Sequence, residues 1–222
     1  MHSDSSPSDG RIVGPAYRIV TSRLIVRCWE PADAAILKRA IDTSTSHLRP
    51  WMPWATIEPA PLDDRLQYLR QSRGKFDLGQ DFHYGVLDKN EKEVIGGTGL
   101  HTRHGLEVRE IGYWIHERHA RSGYATEVAA ALTKVAFEID KVDRVEIHCA
   151  VENYKSAGVP KKLGFIHEGN HRRETKDADG KVHDSMIWTM LKEEYPNSIP
   201  SKALIEAYDA IGRRILWQMH LM

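Results

Sequence analysis

Apolar and polar side chains alternate over several short stretches of this chain and recur at three- and four-residue spacing over others, which separates predicted strands from predicted helices. Residues 17–29, with Leu24, Val26 and Cys28 on one face, read as a strand. Pro31 then opens a helix to about Asp42 that offers Ala35, Leu37 and Ile41 for packing, because proline suits a first helical turn. Three prolines around Trp51 and Trp54 break residues 47–59 into a candidate lip over a site, and a helix resumes over residues 61–75. Strands at residues 82–87, 94–101 and 106–115 follow, joined by Lys89-Asn90-Glu91 and by His104-Gly105. Three adjacent strands imply an antiparallel meander. A helix over residues 124–140, a strand over 144–151, a helix over 154–163 and strands near 165–173 and 182–191 complete the pattern. Strand, helix, strand in that order requires a crossover, and so one parallel pair inside the sheet.

The junction after Ile111-Gly112-Tyr113-Trp114-Ile115 carries the most chemistry. The chain turns through Arg121-Ser122-Gly123-Tyr124-Ala125-Thr126-Glu127, and Val128, Leu132, Val135, Ala136 and Ile139 then recur at helical spacing. Gly123 therefore sits where a helix begins. Such a start leaves backbone N–H groups without internal partners and carries roughly half a positive charge, which suits a phosphate ester. Small residues at Ser122, Gly123 and Ala125 let a ligand approach the backbone, and no Walker-type lysine follows. A bound pyrophosphate fits better than a nucleotide to be hydrolysed.

Six segments, in order, resemble the GNAT acyltransferases and, within them, the RimJ/RimL group that acetylates protein N-termini. They are Thr21-Ser22-Arg23-Leu24-Ile25-Val26-Arg27, Leu48-Arg49-Pro50-Trp51-Met52-Pro53-Trp54, Glu110 through Trp114, Gly123-Tyr124-Ala125-Thr126-Glu127, Glu152-Asn153 with Ser156, and Lys162-Leu163-Gly164-Phe165. The resemblance implies an α/β fold with a mixed, mostly antiparallel sheet flanked by helices, in which one parallel strand pair splays apart. It also implies acetyl-CoA as co-substrate, gripped by backbone at Trp114 and Ile115, by residues Arg121, Ser122, Gly123, Tyr124, Ala125 and Thr126, and by Asn153 and Ser156. Glu110 matches the position that removes the acceptor's proton, directly or through water, and Ser156 the donor to the departing thiolate. Read without the resemblance, Glu110 is a strand carboxylate on a solvated face and Asn153 a helix cap. The family's phosphate loop commonly opens with Arg or Gln; here that position is Ala120, and Arg121 is its neighbour.

Transfer to an amine needs a neutral nitrogen, and an α-amino group with a pKa of about 8 is cheaper to deprotonate than a lysine by roughly 3 kcal/mol. A protein or peptide N-terminus is the expected acceptor. The alternatives are a small amine (amino acid, polyamine or antibiotic) and a degenerate acyl-CoA-binding module without activity. Trp51, Trp54 and His101 are candidate acceptor-side residues, the tryptophans reading equally as core or lip and the histidine as a surface residue.

Composition bounds these expectations. At 222 residues and 41% hydrophobic, the chain suits one large domain. Lys plus Arg and Asp plus Glu number 31 each, so no overall positive field gathers nucleic acid. No apolar run approaches about eighteen residues, and the first residues lack the core of a secretion signal, so a cytoplasmic protein without a membrane partner is expected. Cys28 and Cys149 fall in predicted strands and read as reduced, buried thiols. His101 and His104 have no Cys or carboxylate cluster beside them in sequence, and no metal is expected. Gly97-Thr98-Gly99 reads as a strand bulge. Residues 1–15 form a predicted flexible leader, residues 16–196 the acetyltransferase domain, and residues 197–222 a helical extension. In that extension Leu204, Ala207, Tyr208, Ile211, Ile215 and Met219 make one apolar stripe that docks on its own domain or on a second subunit, so monomer and homodimer both remain open.

Overall fold

The computed structural model describes residues 15–216 and shows one ten-stranded sheet with helices on both faces. A hairpin of β1 (Arg18–Val20) and β2 (Leu24–Cys28) replaces the single strand predicted over residues 17–29. Thr21 turns it, its hydroxyl and amide engaging Leu24. Next come a 3-10 turn at Pro31–Asp33, α1 (Ala34–Asp42), α2 (Thr45–Leu48), a second 3-10 turn at Pro53–Ile57, and α3 (Leu62–Asp77). The meander is β3 (Phe82–Asp88), β4 (Val94–His101) and β5 (Val108–Ile115), and α4 (Tyr124–Glu138) leads to β6 (Arg144–Ala150). The chain continues through α5 (Tyr154–Leu163), β7 (Ile166–Lys176) and β8 (Val182–Leu191), then β9 (Glu206–Tyr208) and β10 (Arg214–Leu216). Strand order is β10-β9-β1-β2-β3-β4-β5-β6-β8-β7.

Among the described strands only β5 and β6 run parallel, and they pair over Val108–Glu110 with Arg144–Glu146 before diverging. Beyond Glu110, β5 is paired through Ile115 on its β4 side alone, so the predicted splay is present. α4 and α5 cover one face, burying Val128, Leu132, Val135 and Leu163 with Leu100, Ile111 and Ile147 of the sheet. α1 and α3 cover the other, where Leu37, Ile41 and Leu69 meet Trp29, Leu87 and Val94.

That second face is scooped out by glycine. Gly85 pairs with Gly97, and Gly99 with Gly112, across β3, β4 and β5. A Cβ at Gly85 would stand 2.8 Å from the Trp29 ring, one at Gly97 2.5 Å from Trp114 Nε1, and one at Gly99 2.6 Å from the His101 ring. These positions let aromatic rings lie flat on the sheet. The expected bulge at Gly97-Thr98-Gly99 is absent, for the pairing there is regular; the register shifts where Val86 meets Gly96 and Leu87 meets Val94.

The C-terminal segment departs from expectation. Instead of a helix after Ser201, a 3-10 turn at Pro200–Lys202 leads into β9, which adds to the edge of β1 through Ile19↔Ala207. Asp209 Oδ1 accepts the N–H groups of Ile211 and Arg213 and closes the turn to β10. Burial alternates, with Ile205 and Ala207 inside, whereas Leu204 and Ile211 of the supposed stripe are 61% and 75% exposed. Edge pairing satisfies the backbone of β1, which a docked helix would leave open. Met219 and nearly all of the predicted leader lie outside the described residues.

Candidate active site

A cavity of about 640 Å³ lies on the glycine-scooped face and runs into the gap between β5 and β6. It brings together Trp51, Trp54, His101 and Glu110 with Trp114, Asn153 and Ser156, residues scattered over a hundred positions of sequence. Trp54 meets Trp114 edge-on at 6.1 Å between ring centres, so the proline-broken lip closes onto the floor. A volume of this size accommodates a small ligand or the end of a chain.

Glu110 is buried, and both its oxygens are engaged. Arg103 Nη1 donates to one and His104 Nε2 to the other, each at 3.1 Å. Behind them Glu146 accepts from His148 Nε2 at 2.7 Å and from Arg144 at 2.6 Å. The His148 hydrogen bond, with Arg144's charge, pulls the Glu146 carboxyl down to about 2 despite burial. Burial works against a charged His148, but Glu146, Glu110 and Glu174 outweigh it and raise its pKa. His104, Glu110 and His148 each bring a ligating atom within 4.8 Å of the others, as do Asp81, His83 and His101.

At the gap, Asn153 caps α5 by accepting from the Ser156 amide at 3.1 Å. Ser156 Oγ lies 3.0 Å from Tyr113 Oη, and burial pushes the Tyr113 phenol above its usual range. Burial likewise raises the Cys149 thiol, which lines the same cavity, to about 11, so it stays protonated. Tyr113 escaped the sequence reading because nothing in its strand signals that Ser156 will lie against it.

The predicted phosphate loop lies outside this cavity, at the carboxyl end of β5. Arg121 and Gly123 both take left-handed backbone, with φ of 64° and 81°. Left-handed residues in such turns gather N–H groups into a concavity suited to an anion. Arg121 and Ser122 are exposed, and Tyr124, Ala125 and Thr126 form the first turn of α4, where N–H groups lack intrahelical acceptors.

The cation set against this loop is Arg23. Its Nη1 donates to the Ser122 carbonyl at 2.9 Å, its guanidinium stacks on the Tyr124 ring at 4.4 Å, and its Nη2 lies 3.5 Å from where a Gly123 Cβ would be. Glu127 fixes it there, accepting from the Thr21 hydroxyl, the Arg23 amide and Arg23 Nε at 2.6, 3.0 and 2.6 Å. Burial opposes ionisation of Glu127, yet those hydrogen bonds hold its carboxyl below the usual range. Both residues stand inside the matched segments, but their pairing across about a hundred positions is not visible in a linear pattern.

A splayed parallel pair, a turn of left-handed residues at the head of α4 and a carboxylate-bearing cleft between them are the architecture of an acyl-CoA-dependent transferase. The chain belongs to the acetyltransferase (GNAT) domain family, which it matches over residues 23–166. It is an acetyl-CoA-dependent N-acetyltransferase acting on an amine. It is 30% identical over 177 residues to YdaF of Bacillus subtilis (strain 168), provisionally named a ribosomal N-acetyltransferase, with 79% of this chain and 95% of that one covered. It is 24% identical over 186 residues to the ribosomal protein uS5-alanine N-acetyltransferase of Escherichia coli (strain K12), covering 82% and 94%. Its fold matches that of RimL, a ribosomal L7/L12 α-N-protein acetyltransferase solved with coenzyme A, at a TM-score of 0.70 and 20% identity, over 78% and 96%. Among the described residues, no helix is long and apolar enough to cross a membrane.

Proposed function

We propose that the amine is the α-amino group of a protein or peptide N-terminus. The observation that carries this reading is the cleft itself, whose volume of about 640 Å³ has room for the end of a chain beside Trp51 and Trp54 and which Glu110 also lines. The names of the relatives, two of which act on ribosomal proteins, point the same way. Bound acetyl-CoA supplies an activated acetyl thioester. The loop amides from Arg121 to Thr126 and the Arg23 guanidinium hold its phosphates, the open edge of β5 at Trp114 and Ile115 pairs with its amide-bearing arm, and Asn153 borders that arm.

Glu110 takes a proton from the acceptor, directly or through water, while Arg103 and His104 hold the carboxylate in place. The Ser156 hydroxyl, backed by Tyr113, gives a proton to the departing thiolate. The setting is the cytoplasm, where the buried, unpaired thiols of Cys28 and Cys149 stay reduced.

The test is thiol release from acetyl-CoA against a panel of free N-terminal peptides, the same peptides with blocked N-termini and an internal lysine, polyamines, amino acids and amine-bearing antibiotics. We expect kcat/KM for free N-termini to exceed every other class by about tenfold or more, near 1.4 kcal/mol of transition-state discrimination. A polyamine or antibiotic at the top of the ranking would assign the cleft to small amines instead. Stabilisation by acetyl-CoA with no turnover of any amine would overturn the reading altogether.

A further inference from the structure

An alkylammonium loses two protons on becoming an amide. The N–C bond forms, the C–S bond breaks, the thiolate takes up one proton, and one more is left for solvent. The reading above, on which this inference rests, gives the nitrogen one proton acceptor in Glu110. The cleft floor holds a second group built for that task.

His101 stands directly across from Glu110 in the β4–β5 register, so both side chains rise from one face, with Cβ atoms about 5 Å apart. Nδ1 of His101 donates to Asp81 Oδ1 at 2.9 Å, and Asp81 Oδ2 accepts from His83 Nε2 at the same distance. Burial opposes a charged Asp81, but these two hydrogen bonds dominate and hold its carboxyl well below the usual range. It is therefore an acceptor only. A neutral imidazole whose Nδ1–H is committed to a carboxylate carries its lone pair on Nε2.

Among the described residues the His101 side chain hydrogen-bonds through Nδ1, to Asp81, and not through Nε2. That Nε2 lies over Gly99 and Gly112, 2.7 and 3.1 Å from where their Cβ atoms would be, so the two glycines remove the side chains that would cover it. The ring lines the cavity and is 7% exposed, with the His83 ring edge-on at 5.0 Å to keep it from turning. Polar and charged groups lining the same cavity include Glu58 of the lip, Asp64, Arg65 and Tyr68 from α3, His148 from β6, and the Glu110, Arg103 and His104 group from β5 and its approach. Tyr68 bonds to His83 Nδ1 at 3.2 Å, on the side away from His101.

We propose that His101 is a second catalytic base of the acetyl transfer, its Nε2 taking the proton that the acceptor nitrogen sheds as the amide forms, with Asp81 as the positioning residue. Glu110 and His101 then each take one of the two protons. Ser156 gives its hydroxyl proton to sulfur and is reprotonated through water at the expense of one of these two, and the surplus proton leaves to water at the cleft mouth.

The experiment is the pH dependence of thiol release by the full chain, with acetyl-CoA and the best acceptor of the panel, for wild type, His101→Gln and Asp81→Asn, each checked for fold by circular dichroism. We expect His101→Gln to lower kcat about 100-fold or more while KM for acetyl-CoA stays within about twofold. The acid limb of the kcat profile should flatten, and added imidazole should restore part of the rate. Asp81→Asn, which frees the imidazole to take the other tautomer, should lower kcat by about tenfold or more, and it decides the matter should His101→Gln fail to fold. A folded His101→Gln protein with wild-type kcat and pH profile would overturn the proposal while leaving the acceptor reading intact. Activity lost to a chelator and restored by zinc would also overturn it, by making Asp81, His83 and His101 a metal site. A wild type inert towards every amine would instead overturn the acceptor reading and take the second base with it.

Discussion

Arg23 shows how one side chain is made useful by those around it. An isolated surface arginine samples many rotamers and gives little to an anion; here Glu127, the Ser122 carbonyl and the Tyr124 ring have already fixed its guanidinium beside the Gly123 turn. The ordering cost is met in folding, so a phosphate bound there as proposed would meet a placed charge. Arg23→Gln should weaken coenzyme A binding by about tenfold, within the range of one charge-assisted hydrogen bond, while kcat at saturating acetyl-CoA changes little. Calorimetric titration of the two proteins with coenzyme A reads this directly. Equal affinities would return the phosphates to backbone amides and Arg121 alone. Arg121 was the cation visible in sequence because it lies two residues before the glycine; Arg23 was not, because proximity in sequence is the one kind a linear pattern reveals.

Elements, too, were legible where one pattern excluded the others. Short apolar runs bounded by turn residues gave β4 and β8 at their observed bounds, and Asn153 before Tyr154 marked α5, whose cap is present. The C-terminal segment misled because its apolar residues satisfy two periods at once: Ala207 and Tyr208 suit a helical stripe, and Ile205 and Ala207 suit an alternating strand. What decides between them is the open edge of β1, a tertiary demand that outweighs local propensity. The two arrangements predict different mutational costs. On a docked helix, Leu204→Asp and Ala207→Asp would be comparably harmful. In β9, Ala207 is fully buried, so a carboxylate there should cost several kcal/mol, about 3 or more, whereas at exposed Leu204 it should cost within about 0.5 kcal/mol. Thermal or urea unfolding of the pair measures the difference, and equal losses would contradict the edge pairing. The candidate site divides along the same line. Glu110, Trp114, Asn153 and Ser156 were legible through the family resemblance of the segments that carry them, whereas by residue type alone Glu110 is a strand carboxylate and Asn153 a helix cap; His101 was a candidate at the end of β4. The Asp81–His101 and Ser156–Tyr113 contacts exist only once the register of the sheet is set.

At the scale of the molecule, the walls of the cleft are joined by charge. The turn between β7 and β8 reaches back to the lip, where the Ala178 amide donates to the Arg49 carbonyl at 3.1 Å and Arg49 pairs with Asp179 at 2.5 Å. Beneath that turn, His183 is held between Asp177 at 3.0 Å and Glu152, just before the cap of α5, at 3.2 Å. The imidazole thus joins the hairpin turn to the start of α5, and the turn in turn joins the lip. The Asp177 hydrogen bond, with help from Glu152, raises the His183 pKa, and the His183 hydrogen bond contributes to lowering both carboxyls. The signs are opposite. Stability from a raised histidine is fully present below its unfolded value of about 6.5 and is lost as pH rises through the folded value. Stability from the two carboxylates is present above their unfolded values, near 4, and is lost as pH falls through the folded ones. Both contributions coexist between about pH 4.5 and 6.5. The difference in thermal midpoint between wild type and His183→Asn should therefore be largest near pH 6 and shrink steadily towards pH 9. Scanning fluorimetry of the two proteins across that range measures it. A difference that holds constant or grows with pH would mean that the imidazole packs the hairpin as a neutral ring and that the walls are joined by something other than this ion pair.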